Sequence, residues 1–482
     1  MTMRLKKQVS LTPGKRAAGN ARNAVRLLPA VDAVLRDPGS VAPLETYGRQ
    51  AAVAAIRAVI AGRRTALLGT GEQQASGDLS PAAIATAAGA ALAEAARPRL
   101  RRAVNATGIV LHTGLGRAPM ADTARDALST VAGFCNLQLD LESGRRGRRD
   151  ECVLKLVRDI TGAEDAVVVN NNAGATMLVL KALAEGKEVV VSRGELIEIG
   201  GSFRLPDIMK ESGAILREVG TTNKTHPRDY ERAIGRNTGL LFKAHKSNYR
   251  VVGFSAEVGI EEIVALGHKR RIPVVDALGA GALVGLEKFG LAHEPTVQES
   301  LRAGADVVLV STDKLIGGPQ GGLIVGSEKL IAKIRKHPLY RILRVCKLTL
   351  AALESTLRLF KSPELLAARH PLYAMMAKRP DEMEAMAREL AGKIAALRPG
   401  WKITVEKTVS YLGGGSLPGE EMPSVAVRIM PSGVTAGDLA RLLRMADTPV
   451  VARVGDGAVW LDMRTVSESD APFILNACRE RQ

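Results

Sequence analysis

A lysine stands between two strand-like runs in the segment STDKLIGGPQGG, Ser311 to Gly322. The apolar run ADVVLV precedes this segment, and LIVG resumes the β pattern after its glycine-rich turn. Burying an ammonium group is expensive, so Lys314 needs a chemical reason to lie where two buried strands meet. A lysine that forms an imine with an aldehyde loses its charge, and Lys314 is therefore a candidate for covalent catalysis.

A carboxylate and a hydroxyl are predicted at the carboxyl ends of two strands, because Asp276 ends the strand in IPVVDAL and Ser311 ends the strand in DVVLVS. Ligands of open α/β sheets bind at the carboxyl ends of the strands, where these side chains would meet. In this arrangement Lys314 would form a covalent Schiff base with pyridoxal 5'-phosphate. Asp276 would pair with the cofactor's ring nitrogen, and Ser311 would bind its phosphate. The alternative is that Asp276 and Lys314 cap strands or form a structural ion pair.

The run AVVVNNNAGAT leads from a strand directly into a helix opened by small residues. The backbone N–H groups of Asn172, Ala173 and Gly174 would face the cofactor phosphate at the helix N-terminus. The run is neither a Walker loop nor a GxGxxG turn, which disfavours nucleotide binding, and an ordinary asparagine cap is the alternative. His245, at the end of the strand LLFKAH, is a further cofactor-binding candidate; a core histidine with satisfied hydrogen bonds is the competing interpretation.

The composition is that of a globular protein with a large positive charge. The 482 residues are 46% hydrophobic and 24% charged, with a formal net charge of +17 that points to nucleic acid or another anionic partner. Four cysteines without paired spacing disfavour a disulfide framework or a zinc site and favour a reducing compartment. No run is apolar enough for a membrane span. The composition therefore predicts a cytoplasmic protein without a metal or a membrane partner.

Four regions follow one another along the chain. Residues 1–30 are a basic N-terminal extension, and 31–103 show helix-spaced apolar residues typical of a small basic helical domain. Strands and helices alternate over 104–360, which predicts an α/β domain with a mostly parallel sheet covered on both faces. Residues 361–482 predict a compact α+β domain.

Several longer motifs resemble bacterial selenocysteine synthase, the L-seryl-tRNA(Sec) selenium transferase family. They include VNATGIVLHTGLGRAPM, SRGELIEIGGSFRLPDIM, HKSNYRVVGF and STDKLIGGPQGG, and the resemblance covers nearly the whole chain. It implies a fold-type-I pyridoxal phosphate enzyme that converts L-seryl-tRNA(Sec) to L-selenocysteinyl-tRNA(Sec). The implied route uses a cofactor-bound aminoacrylyl intermediate and selenophosphate as selenium donor. The resemblance further implies a homo-oligomeric ring of dimers, expected to be a decamer, whose N-terminal domain grips tRNA rather than DNA.

The resemblance also assigns residues around the reacting group. Asp313 would lie beside catalytic Lys314, and Arg117, Arg341 and Arg344 would bind selenophosphate. Arginine is suited to bidentate contacts with oxyanions. The spacing of Arg341, Arg344 and Lys347 predicts that all three lie on one face of a single helix. A solvated cationic face or a contact with the tRNA backbone is the alternative.

Two other function classes compete with this interpretation. One is a pyridoxal phosphate-dependent lyase or desulfurase that acts on a free amino acid or amino sugar, because the scaffold alone would not exclude it. The basic N-terminal region and the net charge favour the tRNA enzyme, and no cysteine has a clear claim to a desulfurase role. The other class is a non-catalytic RNA-binding protein. The presence of Asp276, Ser311 and Lys314 together weighs against this second class.

Overall fold

The computed structural model describes residues 25–69, 78–201 and 203–479. Of the basic extension predicted for residues 1–30, only residues 25–30 fall within these ranges. The chain divides into two compact units, residues 1–101 and 102–482. Each unit is described by itself.

The first unit is helical in its described part, as the apolar spacing predicts. Its helices are α1 Val31–Leu35, α2 Val41–Gly69 and α3 Pro81–Ala96. The hydroxyl of Ser80 accepts a hydrogen bond from the Ala83 N–H and caps α3 ahead of its first-turn proline. Val34, Ile56 and Ile84 meet in a small apolar core. The helices are thus held together by one shared apolar stripe.

The second unit contains two main sheets and the helices that cover them. Its strands are β1 Val104–Ala106, β2 Ile109–Leu111, β3 Asp165–Val169, β4 Glu188–Ser192, β5 Glu198–Ile199, β6 Phe203–Arg204, β7 Ile215–Val219, β8 Thr238–Ala244, β9 Val274–Gly279, β10 Val307–Ser311, β11 Gly322–Gly326, β12 Lys402–Gly413, β13 Glu421–Met430, β14 Val450–Gly455 and β15 Ala458–Asp462. Its helices are α4 Asp122–Val131, α5 Glu151–Thr161, α6 Asn172–Ala184, α7 Leu205–Glu211, α8 Pro227–Ala233, α9 Ile260–Arg270, α10 Val297–Arg302, α11 Glu328–Lys336, α12 Pro338–Ile342, α13 Lys347–Leu359, α14 Leu366–Arg369, α15 Pro371–Ala377, α16 Pro380–Leu397, α17 Ala436–Met445 and α18 Ala471–Arg479.

The larger sheet has the strand order β3-β11-β10-β9-β8-β4-β7. Its strands run parallel except β11, which is antiparallel to both β10 and β3. Alternate residues of each strand enter different cores, as Val308 and Leu309 do, so both faces are covered. The mostly parallel, doubly covered sheet predicted from the short Val/Ile/Leu runs is confirmed. The strand order was beyond the reach of the sequence.

The smaller sheet has the order β1-β14-β15-β13-β12-β2. Its two outer strands, β1 and β2, come from residues that the sequence placed at the start of the α/β domain. Instead Val104 pairs with Val450, and Ile109 pairs with Tyr411, both in parallel register. A strand at the edge of a sheet offers unpaired backbone groups, and the short strands β1 and β2 pair with those groups on β14 and β12. The sequence assigned residues 104–111 to the α/β domain, whereas their strands pair with the C-terminal sheet.

None of the helices in the described ranges combines the length and the apolar character needed to cross a lipid bilayer.

Candidate active site

Lys314 lies just beyond the carboxyl end of β10 in a turn whose residues 312–318 are all buried. Its side chain lines a cavity, although the residue is only 7% exposed. Burial lowers the pKa of the Lys314 ammonium, the nearby Arg117 guanidinium lowers it further, and Asp313 opposes both. A lysine with a lowered pKa is more readily present as the free amine, which is the form that attacks an aldehyde or accepts a proton.

The cavity has a volume of about 480 Å³ and lies at the carboxyl ends of strands β8, β9 and β10. This edge is where ligands of parallel α/β sheets bind. The cavity brings together most of the residues that the sequence proposed for the site, namely Lys314, Asp313, Ser311, Asn172, Ala173, His245 and Arg117. Their roles stay predictions, and the structure places all seven around one cavity.

The asparagine run after β3 has two separate uses. Asn171 caps α6, because its Oδ1 accepts the Gly174 N–H at 2.7 Å. The N–H of Gly174 is therefore used within the helix cap, and Gly174 is not among the residues around the cavity. Asn172 and Ala173 do line the cavity, and their contact with a phosphate stays a prediction. The helix cap at Asn171 does not conflict with that prediction, because it uses neighbouring residues.

Asp276 lies inside β9, three residues before its end and not at the strand end that the sequence predicted. The strand β9 is the direct neighbour of β10, which leads to Lys314. The Asp276 carboxylate is 2% exposed, and its Oδ2 accepts a hydrogen bond from Ser300 Oγ at 2.7 Å. Its Oδ1 is buried and has no hydrogen-bond partner among the described residues. Burial raises the pKa of the Asp276 carboxyl, while the Ser300 hydrogen bond and Lys243 act in the other direction. Buried polar atoms normally have a hydrogen-bond partner, and the described residues supply no donor to this carboxylate oxygen.

Asp276 lines a second cavity of about 330 Å³ rather than the one around Lys314. His245 lines both cavities and so marks the place where they adjoin. Its Nε2 lies 3.3 Å from Oε1 of Glu294, a carboxylate that is 2% exposed. Glu294 and Ser300 were absent from the sequence prediction, since both lie between strands, where no pattern marks them.

The C-terminal sheet also reaches the cavity, through the turn that follows β12. Gly413, Gly414 and Gly415 all have positive φ angles, of 73°, 63° and 74°, which favour glycine. Gly414 and Gly415 line the cavity, and a Cβ atom built on Gly415 would lie 3.5 Å from the Nζ of Lys314. The run of three glycines in YLGGGS was the available signal for this backbone approach.

The three arginines proposed for an anion are arranged differently from the prediction. Arg117 lines the cavity and forms an ion pair with Asp313. Arg341 lies in the short helix α12, whereas Arg344 follows that helix and pairs with Val169 in a β-bridge. The prediction that Arg341, Arg344 and Lys347 share one helix face is wrong. The Asn170 N–H donates to the Leu343 carbonyl at 2.9 Å, and this pairing with the end of β3 interrupts the helix.

Arg341 and Arg344 are not among the residues around the cavity. The bridge to Val169 nevertheless puts Arg344 beside the end of β3, immediately before the asparagine run. Their contact with an anion stays a prediction. No group of three histidine, cysteine or carboxylate side chains in the described ranges could hold a metal ion.

Comparison with known proteins places these features in a family. Residues 103–467 match the family described as L-seryl-tRNA selenium transferase, and 25–64 match the selenocysteine synthase N-terminal family. The L-seryl-tRNA(Sec) selenium transferase of Geobacter metallireducens (strain ATCC 53774 / DSM 7210 / GS-15) is 45% identical over 452 residues, 93% of this chain and 97% of that relative. The enzyme of the same name from Alkaliphilus metalliredigens (strain QYMF) is 47% identical over 381 residues, 79% of this chain and 82% of the relative.

A solved structure of D-glucosaminate-6-phosphate ammonia-lyase superposes with a TM-score of 0.54 at 20% identity, covering 79% of this chain and 95% of the other. That similarity concerns the fold alone. The fold-type-I class expected from the motifs is confirmed. With a family match that spans three quarters of its length, this chain belongs to the L-seryl-tRNA selenium transferase family.

Proposed function

We propose that this chain replaces the seryl β-hydroxyl group of L-seryl-tRNA(Sec) with selenium, using selenophosphate, and so forms L-selenocysteinyl-tRNA(Sec). Family membership supports the reaction. The observation that carries the proposal for the site is Lys314, a buried lysine with a lowered pKa inside the matched segment. It borders a cavity of about 480 Å³ at the ligand-binding edge of the sheet.

Pyridoxal phosphate is the cofactor expected for this family and fold class, and the residues present fit it. Asp276 borders the second cavity, which shares His245 with the Lys314 cavity, and its unpartnered Oδ1 suits a protonated ring nitrogen. The amine of Lys314 suits the aldehyde, and Asn172, Ala173 and Ser311 suit the phosphate. When bound, the cofactor supplies an electron sink for the charge left when a proton is removed from the α-carbon of an amino acid.

The protein's own contribution to the chemistry centres on the Nζ of Lys314. Its lowered pKa favours the neutral amine more than at an exposed lysine, and a neutral Nζ can accept the proton from the seryl α-carbon and return it later. Arg117 is oriented by its ion pair with Asp313 and presents positive charge toward an anionic selenium donor. His245, oriented by Glu294, borders the same space.

Net charge and exposed apolar surface support the two expected macromolecular partners, tRNA and further copies of this chain. The net charge of +17 and the match of residues 25–64 to the family's N-terminal region support tRNA binding by the helical unit. Phe134, Leu141, Ile342 and Leu348 are exposed apolar residues of the second unit, and they support the expected homo-oligomeric ring of dimers. The reaction belongs to the cytoplasm, where aminoacyl-tRNA is used.

The decisive experiment incubates the purified protein with seryl-tRNA(Sec) and selenophosphate and measures selenium in the aminoacyl group. Product is expected from the wild type, none from Lys314→Ala, and little when ordinary seryl-tRNA replaces seryl-tRNA(Sec). If no selenium is incorporated but ammonia is released from a free amino acid or amino sugar, the lyase interpretation replaces this one.

A further inference from the structure

The turn that carries Lys314 is buried along its whole length, so its backbone carbonyls need donors from inside the protein. The turn supplies some of them itself. The Gly317 N–H donates to the Lys314 carbonyl at 2.9 Å, and the Gly318 N–H donates to the Thr312 carbonyl at 2.8 Å. The carbonyls of Leu315 and Ile316, the two residues after the lysine, take their donors from elsewhere.

Those donors are two side chains at the start of helix α15. The Tyr373 hydroxyl donates to the Leu315 carbonyl at 2.9 Å, and His370 Nε2 lies 3.0 Å from the Ile316 carbonyl. Both side chains are 0% exposed. Two hydrogen bonds that are shielded from water therefore tie α15 to the residues directly after Lys314.

The His370 ring is held in one protonation state. Its Nδ1 accepts the Leu372 N–H at 3.3 Å, which leaves the ring proton on Nε2, where it is donated to Ile316. Burial lowers the pKa of His370 to about 4, so the ring is neutral at ordinary pH. A neutral ring with one nitrogen accepting and the other donating is the single form that satisfies both contacts.

Close packing restricts both the Lys314 turn and helix α15. Gly317 has a φ of 67°, and a Cβ atom built there would lie 2.2 Å from His370 Cε1. At the other end of α15 the Arg464 guanidinium, from the C-terminal sheet region, donates to the carbonyls of Met375, Met376 and Lys378 at 3.0, 3.1 and 3.0 Å. Helix α15 is thus fixed at both ends.

We propose that His370 and Tyr373 are positioning residues, which aim the Nζ of Lys314 by holding the carbonyls of the two residues that follow it. The proposal rests on the proposed function only in taking Lys314 as the reactive lysine. Neither side chain touches the cavity, so each acts through the turn. Loss of either hydrogen bond frees the turn and lets Lys314 sample unproductive orientations.

The chain offers a matched control, because the tetrapeptide His-Pro-Leu-Tyr occurs twice, at 337–340 and at 370–373. His337 caps α12 as His370 caps α15, by accepting the Leu339 N–H at 3.2 Å. The Tyr340 hydroxyl donates to Asp150 at 3.0 Å instead of to the lysine turn. Variants at 337 and 340 therefore repeat the chemical changes without touching the Lys314 turn.

The test compares His370→Asn and Tyr373→Phe with His337→Asn and Tyr340→Phe in the full-length protein. Asparagine keeps a side-chain acceptor for the helix cap, but its shorter side chain no longer places a donor at the Ile316 carbonyl. Phenylalanine keeps the ring of Tyr373 but loses the hydroxyl. Hydrogen exchange of the peptide spanning 312–318 in the cofactor-free protein is the primary measurement. Two further measurements are made on each variant. One is the dissociation constant of pyridoxal phosphate, followed by its visible absorption, and the other is the separate determination of kcat and KM for the seryl-tRNA.

We expect the 370 and 373 variants to exchange amides of the turn about 10- to 100-fold faster, as loss of a buried hydrogen bond implies. Cofactor affinity and kcat should fall while KM stays near the wild-type value, and the 337 and 340 variants should leave exchange in the turn and cofactor affinity unchanged. Unchanged exchange in the turn in both test variants, or equal changes in the controls, would overturn the proposal. If His370→Asn fails to fold, Tyr373→Phe decides alone. Absence of selenium transfer by the wild type would refute the proposed function without altering the exchange result.

Discussion

The variant Ser300→Ala removes one buried hydroxyl and should weaken cofactor binding through Asp276, although Ser300 itself is not proposed to contact the cofactor. Ser300 Oγ donates to Asp276 Oδ2 at 2.7 Å, and both residues are buried. Because Asp276 Oδ1 has no partner among the described residues, this hydrogen bond is the main support of the carboxylate. A hydrogen bond to a charged group contributes about 1.5–3 kcal/mol.

The sign of the effect follows from the electrostatics of Asp276. Burial raises the pKa of its carboxyl, and the Ser300 hydrogen bond lowers it, so the variant raises that pKa further. A carboxyl that is protonated more readily neutralises a cationic ring nitrogen less well. With a tenfold change for each 1.4 kcal/mol, a loss of about 1.5–3 kcal/mol corresponds to a dissociation constant raised about 10- to 100-fold.

The assay titrates cofactor-free protein with pyridoxal phosphate and follows absorption. Ser212→Ala is the matched control, because Ser212 is also fully buried and its hydroxyl donates to the Met209 carbonyl at 2.6 Å in a helix cap. The control should lose stability but keep its cofactor affinity. A Ser300→Ala protein that binds the cofactor within about twofold of the wild type, against the expected 10-fold or more, would refute the reasoning, and so would an equal loss in the control.

Three further predictions concern the same site and its substrate. Gly415→Ala should reduce kcat more than Gly419→Ala. Both glycines have positive φ, of 74° and 76°, so each variant should lose about 1–2 kcal/mol of folding stability to backbone strain. Only at 415 does the added methyl group lie against Lys314 Nζ. Equal kcat values would contradict this. In cofactor-free protein, the raised pKa of Asp276 means that the unfolded state releases its proton first, so this residue's contribution to stability declines as pH rises from about 4 through the raised pKa. Denaturation at a series of pH values should show that decline in the wild type and lose it in Asp276→Asn; identical profiles would argue against a raised pKa. Finally, tRNA affinity in gel-shift titrations should fall steeply with salt because phosphate contacts release counterions, and a flat response would count against binding through the basic surface.

The sequence alone was sufficient for features that repeat locally. Short apolar runs indicated the strands of the larger sheet, and helix-spaced apolar residues indicated the helical unit, because side-chain periodicity reports which face of an element is buried. Lys314 and Ser311 could be assigned to one ligand site, since parallel strands bring their carboxyl ends to one edge. The long motifs were sufficient to indicate the family.

Tertiary structure decided what depends on residues far apart in the chain. The pairing of β1 and β2 with the C-terminal sheet, and the β-bridge at Arg344 that separates three basic residues expected on one helix, are non-local contacts that leave no period in the sequence. Ser300, His370 and Tyr373 complete hydrogen bonds of buried groups, and Glu294 forms an ion-pair contact with His245. Only the folded backbone determines which buried groups need such a partner. Local pattern thus determined the elements and singled out Lys314 as the candidate lysine, whereas the packing of distant segments determined which groups hold Lys314 and Asp276 in place.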